Sequence, residues 1–327
     1  MRPMLSFACV VALSGCFALT DTARFEQDDG CDLELRLRNF TPHTDDRFEV
    51  LLLRPSADPE VAPSLTARAL FEPLEEPTLN LRMPHAVPAN DDAARPPYRI
   101  DFYGDQDGSG NYTFPGDHSW RLPNACVDGP EVFVHNLDFV NLEAPQVSRA
   151  LGALRVFLCE AVNGEKIEVR LTGLNLPGPG GAVEQTRAVG LYRGTGRPNG
   201  TIELPGLFDD GFDYRVEVYV DANANGAFDA GEKAWSFRFN ADAPEAQREC
   251  DRDAMIRENM PVSACVDPRL PVRAEFPACV TDRGDLVVTL GPLSQLNDAG
   301  ELANLHGAGA PNAWLNFDPD DIGPTIE

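Results

Sequence analysis

Two segments of this 327-residue chain follow one pattern, an alternating stretch that leads into an acidic, glycine-containing loop. The first runs from Tyr98 to Gly110 and the second from Tyr214 to Gly226. Each opens with a Tyr-Arg pair and continues with a side-chain period of two, which predicts a β-strand with one buried face. The duplication therefore predicts two copies of a small β-rich unit, each carrying the same kind of loop.

The second loop fits the pattern D-x-[DN]-x-[DN]-G-x5-E of calcium-binding loops at every specified position. Glycine stands at position 6, where the chain turns sharply, and the other specified positions offer the oxygen donors that calcium prefers. An Asn- and Gly-rich turn without an ion is the alternative. The predicted side-chain ligands are Asp221, Asn223, Asn225, Asp229 and Glu232, and Ala227 would contribute its carbonyl.

The first loop departs from this pattern at position 12, which is Gly116 and has no side-chain oxygen. A one-residue insertion would bring Asp117 into that role. Because Asp is shorter than Glu and less suited to bidentate ligation, we expect weaker calcium binding in this loop. The ligands predicted here are Asp105, Asp107, Ser109, Asn111 and Asp117.

The second loop follows a predicted strand, whereas the loop of an EF-hand follows a helix. The segment from Tyr214 to Trp235 resembles the Asp-x-Asn-x-Asn-Gly-x-x-Asp-x-Gly-Glu segments in B-type (Cna-B-like) β-sandwich repeats of bacterial surface adhesins. The resemblance implies a structural calcium ion that stiffens the module.

The N-terminus has the features of an export signal. Arg2 precedes a short apolar run from Met4 to Leu13, which is too short to span a membrane as a helix. The sequence Leu-Ser-Gly-Cys that ends at Cys16 resembles the lipobox of bacterial lipoproteins. This resemblance implies that Cys16 becomes a diacylated N-terminus that anchors the protein in the membrane, and Phe17 in place of Asp favours the outer membrane. An ordinary secretory signal peptide is the alternative.

Six cysteines remain after such processing, an even number in an exported protein, and this favours disulfides. No Cys-x-x-Cys occurs, which argues against a zinc site. The sequence leaves the connectivity open, but the positions of the cysteines relative to the repeats favour three pairs. These are Cys31–Cys126, Cys159–Cys250 and Cys265–Cys279.

Short alternating stretches separated by Pro, Gly and Asp turns predict an all-β fold. We expect two tandem β-sandwich domains of immunoglobulin-like or prealbumin-like type. The stretch from Gln146 to Leu158 is the one that the sequence leaves open to a helix. The predicted divisions are a signal peptide (1–15), a lipidated tether (16–30), a first repeat (31–145), a second repeat (155–250) and a proline-rich linker with a C-terminal strand or remnant repeat (251–327).

The net charge of −25, from 52 acidic and 27 basic residues, argues against nucleic-acid binding. Neither His-Glu-x-x-His nor Gly-x-Ser-x-Gly occurs, so the sequence does not predict an enzyme. It predicts a lipid-anchored, calcium-binding protein of the bacterial cell envelope with a structural or adhesive role and an envelope protein or glycan as partner. The alternatives are a carbohydrate- or protein-binding surface module and an envelope hydrolase.

Overall fold

The computed structural model describes residues 30–88, 96–126, 129–146, 151–158, 164–177, 184–197, 200–223, 234–243, 278–281 and 284–290. Within these ranges the chain forms fifteen β-strands and one short 3-10 turn at Thr41–His43. The all-β prediction is confirmed. No helix in these ranges is both long enough and apolar enough to cross a membrane.

The first half of the molecule contains seven strands, and the first of them shows the expected alternation between core and solvent most clearly. In the first strand Leu33, Leu35 and Leu37 are buried, as the period of two predicts. The strands are β1 (Cys31–Arg38), β2 (Arg47–Arg54), β3 (Ser64–Glu72), β4 (Leu79–Val87), β5 (Arg99–Asp105), β6 (His118–Leu122) and β7 (Glu131–Val134).

The second half contributes eight strands. They are β8 (Gly152–Leu158), β9 (Lys166–Pro177), β10 (Glu184–Thr195), β11 (Gly200–Phe208), β12 (Tyr214–Asp221), β13 (Ala234–Phe239), β14 (Ala278–Val280) and β15 (Leu286–Leu290). Residues 152–158, part of the stretch that the sequence left open to a helix, form the strand β8. Its Leu154, Val156 and Leu158 alternate into the core, and its backbone pairs with both β11 and β15.

The two halves share one topology. β1 lies between β4, which is antiparallel to it, and β7, which is parallel. β8 lies in the same way between β11, antiparallel, and β15, parallel. The order β6-β5-β2-β3 of the first half likewise recurs as β13-β12-β9-β10 in the second. β15 therefore occupies the place in the second half that β7 occupies in the first.

The two halves are joined through a continuous eight-stranded sheet, named sheet B here, in the order β13-β12-β9-β10-β3-β2-β5-β6. Its seam is the parallel pairing of β3 with β10, from Gly190 opposite Arg68 to Gly194 opposite Glu72. Equivalent edge strands that pair in parallel are related by a two-fold rotation about the strand direction. That rotation also exchanges the two faces of the sheet, so the covered face of one half lies opposite the covered face of the other.

Two hydrophobic cores lie on opposite faces of sheet B accordingly. Sheet A (β4-β1-β7) covers the first half, and sheet C (β11-β8-β15-β14) covers the second. Near the seam both faces are buried: Leu52 packs in the first core and Leu53 in the second. This arrangement explains the six consecutive buried residues of β2 from Phe48 to Leu53, since a strand covered on one side only would alternate.

A candidate metal-binding loop

Three carboxylates meet in the loop between β5 and β6. Asp105 is the last residue of β5, Asp117 directly precedes β6, and Asp107 lies in the loop between them. One carboxylate oxygen from each lies within 4.8 Å of the others. Asp105 and Asp117 are buried, whereas Asp107 is exposed. Three anionic oxygens at this spacing, open to solvent on one side, can hold a metal ion.

Backbone amides of the loop turn towards these carboxylates. Asp105 accepts hydrogen bonds from the amides of Ser109 (3.1 Å) and Gly110 (2.7 Å). Asp117 accepts hydrogen bonds from the amides of Gln106 (3.0 Å) and Thr113 (2.6 Å). The amides fix the position of each carboxylate and offset part of their mutual repulsion. The loop is therefore closed around its acidic side chains.

A glycine allows the sharp backbone turn of this loop. Gly110, at loop position 6, has a φ of +79°, a conformation that side chains with a Cβ rarely adopt. Its amide donates to Asp105 from that conformation. The position of the glycine thus follows from the backbone that the loop needs, as the sequence pattern predicts.

The surroundings perturb two of the three carboxyl groups in opposite directions. Burial raises the pKa of Asp117, and the nearby charge of Asp107 raises it further. Hydrogen bonds from Ser109 lower the pKa of Asp107. A bound cation would offset the burial and the repulsion that raise the pKa of Asp117.

The other residues predicted for this loop have different environments. The hydroxyl of Ser109 donates to the carbonyl of Asn111 over 2.8 Å, and the Asn111 side chain is exposed. Their roles as ligands stay predictions. Asp46, which the sequence did not indicate, lies nearby. Burial, and then the charge of Asp105, raise its pKa. One of its carboxylate oxygens lies 3.1 Å from Nδ1 of the buried His43.

The second loop is described only at its start. Asp221 is the buried last residue of β12, and Asn223 is exposed. The remaining predicted ligands of this loop lie outside the described residues, as does the predicted lipid-bearing cysteine. They are Asn225, Ala227, Asp229, Glu232 and Cys16.

One predicted disulfide is present. Cys31 at the start of β1 is bonded to Cys126, with 6.0 Å between their Cα atoms. The pairs Cys159–Cys250 and Cys265–Cys279 stay predictions: the first three of these cysteines lie outside the described residues, and only the backbone of Cys279 is described, in β14.

A buried polar network stands beside each loop, and the sequence had not suggested it. In the first half the Tyr103 hydroxyl donates to Glu49, which also pairs with Arg68 over 2.8 Å. In the second half the Tyr219 hydroxyl donates to Glu168 over 3.3 Å. Each tyrosine faces its glutamate across equivalent strand pairs, and each lies two residues before the first aspartate of its loop.

The glutamate of the second network keeps its charge although it is fully buried. Burial alone would raise the pKa of Glu168, but Arg193 and Arg170 both bond to it and lower the pKa below its usual value. Burial and the negative charge of Glu168 raise the pKa of Tyr219. The network is therefore an ion cluster with a neutral phenol as donor.

No protein-family model matches the chain, and no curated protein matches it. Among solved structures, two single-substitution mutants of the shaft pilin SpaA from Lactobacillus rhamnosus GG were found, each 13% identical and covering 65% of this chain and 94% of the pilin chain. Their TM-scores are 0.20 and 0.19, which are too low for the likeness to say anything about this chain.

Proposed function

We propose that this chain is a calcium-binding, lipid-anchored protein of the bacterial cell envelope with a structural or adhesive role and no catalytic activity. The observation that carries the calcium proposal is the convergence of Asp105, Asp107 and Asp117 in the first loop. The full match of the second loop to a calcium pattern supports it independently. Calcium fits better than zinc because the three groups offer hard oxygen donors only.

The place of the cluster suggests what the ion does. Asp105 ends β5 and Asp117 adjoins the start of β6, so an ion bound to both would fasten the two strands of one hairpin together. Without a cation the three carboxylates repel one another at close range. Calcium binding would remove this repulsion and stiffen the hairpin at its loop end.

The location rests on the sequence alone. A diacylated Cys16 would hold the protein in the outer membrane, on its periplasmic or its surface face, with an envelope protein or a glycan as partner. A duplicated, disulfide-bonded β-sandwich suits a spacer or adhesive module, because its rigidity comes from a large shared sheet.

Thermal unfolding in excess calcium and in EDTA tests the calcium proposal. An ion that binds only the folded state stabilises it by about 3 kcal/mol when free calcium exceeds Kd about 100-fold. Asp107→Ala removes an exposed carboxylate of the first loop and should shrink the calcium effect, and Asp221→Ala should do the same for the second. Asp58→Ala, at an exposed aspartate outside both loops, is the matched control.

Equal melting temperatures in calcium and EDTA, together with no calorimetric binding signal, would refute the calcium proposal. The anchor has its own test. Cys16→Ser should move the protein from the membrane fraction to the soluble fraction, and mass spectrometry should show loss of the acyl groups. If wild type carries no lipid, the lipoprotein proposal fails while the calcium proposal stands.

A further inference from the structure

A cavity of about 370 Å³ lies where the two halves of the molecule meet, at one end of the seam between β3 and β10. Both halves contribute to its wall. Arg54 and Tyr98 come from the first half, and Arg187 and Tyr214 come from the second. Tyr98 and Tyr214 hold equivalent places in the two repeats, so the two-fold relation of the halves brings the same side chain to the cavity twice. The volume falls in the range of small-molecule sites.

Arg187 lines this cavity, and part of its guanidinium has no partner among the described residues. It lies in β10, and among the described residues no carboxylate forms an ion pair with it. Its Nε atom is buried and makes no hydrogen bond. Burial lowers the pKa of the guanidinium, the hydroxyls of Tyr98 and Tyr214 oppose this, and the charge of Arg54 lowers it again. Among the described groups that shift this pKa there is a second cation and no carboxylate, so the cavity has a positive potential around Arg187.

The one carboxylate among the described lining residues is Asp209, and it makes a local hydrogen bond rather than an ion pair with Arg187. Oδ1 of Asp209 accepts the amide hydrogen bond of Gly211 over 3.0 Å. The backbone amide of Asp209 donates to the hydroxyl of Tyr214 over 3.2 Å, which holds this tyrosine in place. The second cation is also oriented, because Arg54 lies over the ring of Tyr98 with 5.5 Å to the ring centre. The charged groups of the cavity are therefore positioned without satisfying Arg187.

The rest of the wall combines apolar side chains with the hydroxyl groups of Ser64 and Thr66. Leu65, Leu176, Val189 and Leu207 are each less than a tenth exposed and line the cavity together with Phe212. A fully hydrated inorganic ion gains nothing from such a wall, whereas an organic anion can place its charged group at Arg187 and its carbon chain against the leucines. Charge and wall together select an amphipathic ligand.

We propose that this cavity binds a small organic anion, a carboxylate with a short apolar body, whose charged group pairs with Arg187 between Tyr98 and Tyr214. The ligand contacts both halves of the molecule, so binding strengthens the junction that the parallel β3–β10 pairing creates. The site is separate from the acidic loops and does not depend on the proposed calcium function.

Isothermal titration of the purified protein with octanoate, and separately with inorganic phosphate, tests the proposal. We expect octanoate to bind and to raise the melting temperature, and phosphate to bind more weakly because it lacks an apolar body. Arg187→Gln should weaken octanoate binding at least about tenfold, since a charged hydrogen-bonding partner is lost. Arg36→Gln, at an exposed arginine of β1 outside the cavity, is the matched control and should bind as wild type does.

A second variant guards against a folding defect in the first. Thr66→Phe, at a partly exposed lining residue of β3, fills the cavity and leaves Arg187 unchanged. Loss of octanoate binding in this variant, with calorimetric unfolding close to that of wild type, supports the site. No octanoate binding by wild type, octanoate binding that neither Arg187→Gln nor Thr66→Phe weakens, or tighter binding of phosphate than of octanoate would each overturn the proposal.

Discussion

Glu168→Gln is the substitution that most directly probes the buried ion cluster of the second half. The wild-type carboxylate accepts hydrogen bonds from Arg170 (2.6 Å), Arg193 and Tyr219 (3.3 Å), and its side chain is only 2% exposed. Glutamine has nearly the same shape but no charge, so two guanidinium groups lose their counter-ion. Breaking a buried pair costs about 3–5 kcal/mol.

Two features reduce this cost to about 3 kcal/mol. The Arg193 side chain is 24% exposed and recovers some hydration, and the glutamine carbonyl still accepts one hydrogen bond. A loss of this size should lower the melting temperature by about 6–12 °C. Because the pKa of Glu168 is lowered in the folded state, its contribution is present above the usual value of 4.5 and is lost as the pH falls through the folded pKa.

Chemical denaturation measured across the acid range, on wild type and variant side by side, tests this prediction. The stability difference should be largest near neutral pH and should narrow below about pH 4.5. Glu203→Gln is the control, because Glu203 is 50% exposed and lies 3.7 Å from Arg155, and such surface pairs are worth at most about 1 kcal/mol. If both substitutions cost the same, the cluster does not stabilise the fold in the way described.

Three further predictions concern other parts of the fold. Burial, with smaller effects from two neighbouring histidines, lowers the pKa of His43 from 6.5 to about 4. Its neutral form therefore supports folding above pH 6.5, and about 3 kcal/mol of stability should be lost as the pH falls to 4. His43→Gln should flatten this part of the curve of stability against pH. If the variant's stability falls with pH as steeply as that of wild type, His43 is not the group responsible. Replacing Cys31 and Cys126 together by alanine removes the bond that closes 95 residues and should lower the free energy of unfolding by about 2–4 kcal/mol in denaturant titrations. A reductant should destabilise wild type through this bond and should have no such effect on the double variant. The prediction fails if the double variant is as stable as wild type. Because sheet B crosses both halves, scanning calorimetry should show one unfolding transition, and two separable transitions would mean that the β3–β10 seam does not couple them.

Local sequence pattern predicted much of the strand content. The stretches around Leu33, Tyr98 and Tyr214 have a side-chain period of two, and the structure has strands at all three. The expectation of one buried face is confirmed for β1 and is wrong for β5 and β12, which are buried on both faces along most of their length. The first acidic loop could also be predicted from the sequence. The spacing indicated Asp105, Asp107 and Asp117, and the structure brings their carboxylate oxygens together. Short-range geometry decides both features, so a short stretch of sequence is sufficient to show them.

β3 and β8 are among the strands that escaped this kind of prediction. β3 alternates only from Ser64 to Ala69, and Leu70 and Phe71 are then both buried at the seam. β8 has buried residues on both sides along most of its length. A period of two reports only the contrast between a wet face and a dry face. Where that contrast is absent the sequence does not distinguish a strand from a short buried helix, which is why residues 146–158 were left open.

The sequence by itself determined an acidic, duplicated, β-rich chain with two acidic loops, because strand period, turn residues and loop spacing are properties of neighbouring residues. Only the tertiary structure decided that β3 and β10 join the halves into one sheet, that the two cores lie on opposite faces, and that Arg187 meets Tyr98 and Tyr214 in a cavity. Such pairings join residues far apart in the chain. Their free energy depends on which surfaces remain to be covered once each half has formed, and no local pattern encodes that.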